Sequence, residues 1–186
     1  MVSPVAAEKH GQSFDFLDVD ADGSLDRTDF VAVAARLAEG AGAKEHETVR
    51  DAYLMFWERL AVELAVDPDG TIGREQFIEG LDKLAKATPT AFEEAIAQMP
   101  LALLALYDHD GDGRLNKSEF MAMQTALGVP KDRARISLLA LDRDADGMIG
   151  GADLLAACRE FVLSEDPHAP GNWLFGGLAP KPIRYF

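Results

Sequence analysis

Twelve residues constrain this chain more than any others: Asp108 to Glu119, DHDGDGRLNKSE. Asp108, Asp110 and Asp112 alternate at loop positions 1, 3 and 5. Gly113 stands at position 6, where the backbone turns too sharply for a Cβ. Arg114 at position 7 offers its carbonyl oxygen, and Asn116 at position 9 acts through a water. Glu119 at position 12 is long enough to reach back and bind through both oxygens. Calcium is a hard cation that takes six to eight oxygens, and this string offers such a set. Leu115 at position 8 is expected to point inward, and Phe120 begins the apolar face of a following helix.

This spacing is the ion loop of an EF-hand, and it recurs. Asp18 to Asp29, DVDADGSLDRTD, places Asp18, Asp20 and Asp22 at positions 1, 3 and 5 and Gly23 at position 6. Ser24 then falls at position 7, Leu25 at 8, Asp26 at 9 and Asp29 at 12. Asp142 to Asp153, DRDADGMIGGAD, repeats the order with Asp142, Asp144, Asp146, Gly147, Met148 and Ile149, and ends on Asp153. Met148 offers its carbonyl, while Gly150 at position 9 leaves that ligand to water. Aspartate at position 12 is one methylene shorter than glutamate. Magnesium, which prefers six ligands at short range, is therefore expected to compete at the first and fourth loops. A remaining string aligns on Gly70 at position 6 and Ile72 at position 8, with Ala65 at position 1 and Gln76 at position 12. Two anchoring carboxylates are gone, so this second loop is expected to serve packing, not binding. The prediction is Ca2+ at three sites.

The position-6 glycines, Gly23, Gly70, Gly113 and Gly147, are separated by 47, 43 and 34 residues. Residues 1–7 are expected to fray before a helix over Glu8–Leu17. Apolar spacing then predicts helices over 30–39, 45–66, 74–87, 117–127, 132–141 and 152–163. In 45–66 the stripe is Val49, Tyr53, Phe56, Trp57, Leu60 and Leu64. Phe92–Tyr107 reads as one helix kinked at Pro100. Thr88-Pro89-Thr90 marks the joint between halves, with either threonine a candidate N-cap. The fold class is all-α: four helix-loop-helix units in two pairs packed into one compact globule. The domains are an N-terminal pair over 1–87, a C-terminal pair over 88–163 and a tail over 164–186 that packs on the core. In that tail Trp173, Leu174 and Phe175 are too apolar to leave in water.

A net charge of −14 would repel nucleic acid and anionic membranes. No run of 18 apolar residues offers a membrane span. The single cysteine, Cys158, forbids an intrachain disulfide and reads as a small buried hydrophobe. The opening residues lack a basic region followed by a long apolar one, so a cytoplasmic, monomeric protein is expected. The carboxylates are committed to ion loops, no nucleophile–base pair stands out, and no enzyme activity is expected.

The whole chain resembles the sarcoplasmic calcium-binding protein family, and especially its bacterial, calerythrin-like members from actinomycetes. The three intact loops, the ligand-poor second loop, the wide spacing of the first two loops and the long segment SEDPHAPGNWLFGGL carry that resemblance. It implies a compact globule with its two halves packed together. Three intact loops, a tail expected to plug its own groove and no attached effector domain point to a calcium buffer or transporter. The alternative expectation is a calcium-triggered regulator with an unidentified protein target. A remote alternative is a photoprotein-like carrier with an apolar ligand near Tyr53, Phe56, Trp57 and Trp173. That last reading lacks an evident His/Tyr/Trp triad, since the histidines are His10, His46, His109 and His168.

Overall fold

Ser3 and Pro4 start the first helix, α1 (Pro4–Leu17). Ser3 Oγ accepts the Ala6 N–H at 3.2 Å, and proline at the first helical place has no amide to waste. Helix therefore covers most of the stretch expected to fray. The computed structural model describes residues 2–44, 46–88 and 90–178; Met1, Glu45, Pro89 and the tail's last eight residues lie outside them.

The first unit continues through β1 (Ser24–Leu25) into α2 (Arg27–Gly40), and the second is α3 (Glu47–Leu64), β2 (Ile72–Gly73) and α4 (Arg74–Lys86). After α5 (Ala91–Ala95), the third comprises α6 (Gln98–Tyr107), β3 (Arg114–Leu115) and α7 (Lys117–Ala126). The fourth comprises α8 (Lys131–Leu141), β4 (Ile149–Gly150) and α9 (Gly151–Leu163), and a 3-10 helix follows at Pro170–Phe175. Each loop lends one short strand to an antiparallel bridge, with Leu25 opposite Ile72 and Leu115 opposite Ile149. All four side chains are fully buried, as the apolar position 8 predicts.

The expected single helix over Phe92–Tyr107 is two helices. The break falls at Ile96–Ala97, and Pro100 sits in the first turn of α6. A proline there cannot donate to the Ile96 carbonyl, so that carbonyl takes the Met99 N–H at 3.1 Å. Thr90 occupies the N-cap of α5 without capping it; its hydroxyl bonds Glu94 instead.

One continuous core joins the two pairs, with Trp57, Phe77, Phe120 and Phe161 at its centre. Two polar side chains of α1 cross the seam. Lys9 is fully buried and donates to the carbonyls of Glu160 at 2.9 Å and Ser164 at 2.5 Å, closing the end of α9. Burial pushes its pKa down to about 8, against the pull of Glu160, Asp166 and Glu165. His10 is also fully buried, with ring nitrogens 3.2 Å from the Ile78 carbonyl and 3.0 Å from that of Val162. Burial lowers its pKa, and the two carbonyls oppose that shift.

The 3-10 helix lies on α8 and α9. The Phe175 ring is 5.0 Å from Phe161 and 5.5 Å from Phe16, centre to centre. Its carbonyls are taken by other elements: Trp173 by Ser137 Oγ at 2.7 Å, Leu174 by Gln124 Nε2 at 3.1 Å. Beyond it, Arg133 donates to Gly176 at 2.9 Å and Gln12 to Gly177 at 3.1 Å.

Candidate metal centres

Among the described residues three carboxylate clusters form, each with one oxygen per member within 4.8 Å of the others. They are Asp18, Asp20 and Asp22; Asp108, Asp110 and Glu119; and Asp142, Asp144 and Asp146. The position-1 aspartate shapes each loop by gathering backbone N–H groups. Asp18 accepts from Asp22 and Gly23 at 3.1 Å each. Asp108 accepts from Gly111 at 2.8 Å, Asp112 at 3.1 Å and Gly113 at 2.8 Å. Asp142 accepts from Asp146 at 3.2 Å and Gly147 at 2.9 Å. Position 4 is left-handed in all three, with φ of 57° at Ala21, 74° at Gly111 and 58° at Ala145. Position 6 is too, with φ of 85°, 83° and 85° at Gly23, Gly113 and Gly147.

The other candidate residues split between carbonyl donors, helix caps and the closing carboxylate. Ser24 and Arg114 lie in β1 and β3, and the Met148 N–H is held by Asp146 Oδ1 at 2.8 Å. Likewise Asp112 Oδ1 takes the Arg114 N–H at 2.8 Å. Asp26 caps α2 through Thr28, whose hydroxyl lowers the Asp26 pKa. Asn116 caps α7 through the N–H groups of Ser118 and Glu119.

At position 12, Glu119 accepts the His109 N–H on one oxygen and the Asn116 N–H on the other, both at 2.9 Å. Asp29 spans the same two places, from Val19 at 3.3 Å and Asp26 at 2.9 Å, and burial raises its pKa. Asp153 accepts from Gly150 at 3.0 Å. Only in the third loop does the closing residue join the carboxylate cluster. The extra methylene of glutamate gives it that reach.

The second loop is a different object. α3 ends at Leu64, and Ala65 caps it at φ 54°, donating to Ala61 and Val62. Pro68 holds position 4, and its ring fixes φ near −65°, so the left-handed turn of the other loops is closed to it. Gly70 does not take the left-handed conformation expected of position 6. Its N–H bonds the Asp67 carbonyl at 2.8 Å, and the Trp57 indole holds the Pro68 carbonyl at 3.3 Å. Gly70 keeps the number of position 6 but not its shape.

Two contacts had no signal in the motif, which ignores side chains at positions 2 and 7. His109 reaches out of the third loop to the Ala41 carbonyl, and Arg114 forms an ion pair with Asp146 of the fourth.

Clustered carboxylates form an all-oxygen donor set that fits a hard divalent cation. An EF-hand family model matches residues 12–34 and 102–124. Calerythrin of Saccharopolyspora erythraea is 31% identical over 166 residues, covering 87% of this chain and 94% of that protein. The chain belongs to the calerythrin-like EF-hand proteins. Like them it is a calcium-binding protein and not an enzyme. A solved calcium-binding protein from Streptomyces coelicolor, described as a basis for prokaryotic calcium-mediated regulation, superposes with a TM-score of 0.73. It is 28% identical, with 87% of this chain and 99% of that one covered. The luciferin-binding protein of Renilla reniformis is 28% identical over 167 residues, or 87% of this chain and 88% of that protein. No helix among the described residues is long and apolar enough to cross a membrane.

Proposed function

We propose that this calerythrin-like chain is a monomeric, cytoplasmic calcium buffer that takes up ions at the first, third and fourth loops. Asp18, Asp20, Asp22, Asp26 and Asp29 would hold the first ion, with the Ser24 carbonyl. Asp108, Asp110, Asp112, Asn116, Glu119 and the Arg114 carbonyl would hold the second. Asp142, Asp144, Asp146, Asp153 and the Met148 carbonyl would hold the third. Magnesium would compete where aspartate closes the loop. The observation that carries the buffer reading is the fastened tail. A sensor needs a groove that opens to a target helix, and here Phe175 packs on Phe161 and Phe16 while α7, α8 and α1 bond the tail's backbone, contacts that such an opening would have to break.

A calcium-triggered regulator is the second reading, favoured by the regulatory setting of the Streptomyces coelicolor relative. Calcium titration in a few millimolar magnesium, with a hydrophobic dye present, separates the two. A buffer binds about three ions with a flat or falling dye signal. A dye signal that rises at roughly micromolar calcium, the sensor range, overturns the buffer reading. The carrier reading has less support. The apolar cavity bounded by Tyr53, Phe77, Met123, Phe161 and Phe175 holds about 80 Å³, against roughly 300–1,000 Å³ for ligand clefts.

A further inference from the structure

The first loop's strand partner is a loop without a carboxylate cluster, so coupling across the β1–β2 bridge has no second ion to reach. The structure supplies another route. α2 carries Asp29 in its first turn and Asp26 at its N-cap, and it runs on for 14 residues as a rod of about 20 Å. Its far end meets the third loop. Tyr107, fully buried and directly before Asp108, donates its hydroxyl to the Leu37 carbonyl at 2.7 Å. His109, directly after Asp108, places Nε2 3.0 Å from the Ala41 carbonyl and Nδ1 2.7 Å from that of Tyr107. The His109 N–H donates to Glu119, the third loop's closing residue. α2 also presses against α7 there: a Cβ on Gly40 would sit 2.7 Å from Ala126 Cβ and 2.9 Å from the Tyr107 hydroxyl.

We propose that Tyr107 and His109 are positioning residues that couple the first and third loops through α2. An ion pulling on Asp29 shifts the start of a stiff helix. The end of that helix is clamped to the residues on either side of Asp108, so the shift arrives where the third loop begins. By linkage, an ion in the third loop biases the first equally. This inference rests on the calcium reading of both loops.

The test is a calcium titration of the full-length protein by NMR, with the Gly23 amide reporting the first loop and the Gly113 amide the third. Asp18→Ala, which disables the first loop, is expected to weaken the third by about fivefold or more. In a Tyr107→Phe background the same substitution should change it by about twofold or less. His109→Ala, half-exposed and easily tolerated, repeats the comparison without touching the core. A purely structural tyrosine would lower both affinities and leave their ratio unmoved. Without calcium, Tyr107→Phe is expected to speed amide exchange at the end of α2 and in the third loop together. An effect of Asp18→Ala that is the same with and without the hydroxyl overturns the coupling. A Gly113 amide that ignores calcium in the unaltered protein instead refutes the site reading beneath it.

Discussion

The second and third loops share a twelve-residue length, flanking helices and a buried aliphatic residue in a two-strand bridge. Each also ends on a side chain that accepts the position-9 N–H: Gln76 from Gly73 at 3.1 Å, Glu119 from Asn116 at 2.9 Å. They part at positions 1, 4 and 6. Asp108 gathers three N–H groups where Ala65 gathers none, and Gly111 turns left-handed where Pro68 is barred from doing so. The bridge and the closing hydrogen bond therefore belong to the scaffold and survive without ligands. The carboxylate cluster needs the position-1 anchor and the left-handed turn, and it is lost with them.

Glu119→Gln breaks the comparison most sharply, because it gives the third loop the closing residue of the second. Glutamine keeps the hydrogen bond to Asn116 and loses the charge. Third-loop calcium affinity is expected to fall by about 100-fold or more, since even outer-shell partners of a metal are worth 10- to 100-fold. Far-ultraviolet circular dichroism should show the helices retained. Calorimetry that still finds the site at full strength would refute Glu119 as a ligand.

The reverse experiment rebuilds the second loop. Ala65→Asp with Gln76→Glu restores its end ligands, yet no further ion is expected, because Pro68 still holds position 4. Adding Pro68→Gly should bring weak binding, visible as an extra calorimetric step. An ion bound by the double variant alone would show that charge, not backbone, silenced this loop.

Most of this architecture was legible because the ion-loop motif fixes residue type at nearly every position. Three clusters and two bridge registers follow from counting out from Gly23, Gly70, Gly113 and Gly147. What escaped lay outside the motif's terms. The start of α1 is set by Ser3 and Pro4, which carry no apolar periodicity. His10, a polar residue inside the expected helix Glu8–Leu17, is fully buried between carbonyls of α4 and α9, a placement that only tertiary packing decides. The break before Pro100 came earlier than expected, because a proline is cheapest in a helix's first turn, and the chain restarted there.

The smallest expected effect compares the two pairs through position 7. In the first loop Ser24 turns its hydroxyl onto its own Asp22 at 2.8 Å. In the third loop Arg114 leaves its own loop and ion-pairs with Asp146 across the bridge. Without calcium that guanidinium relieves repulsion among Asp142, Asp144 and Asp146, so an entering ion must compete with a charge already in place. Arg114→Ala is expected to raise fourth-loop affinity by about two- to fivefold, the scale of a half-exposed ion pair. The difference should shrink at high salt, because screening weakens the guanidinium's hold on a surface carboxylate. NMR titration at the Gly147 amide reads it directly. An unchanged or weaker fourth loop would mean that Arg114 helps gather the carboxylates and does not guard them, and the asymmetry between the pairs would then lie in their ligands alone.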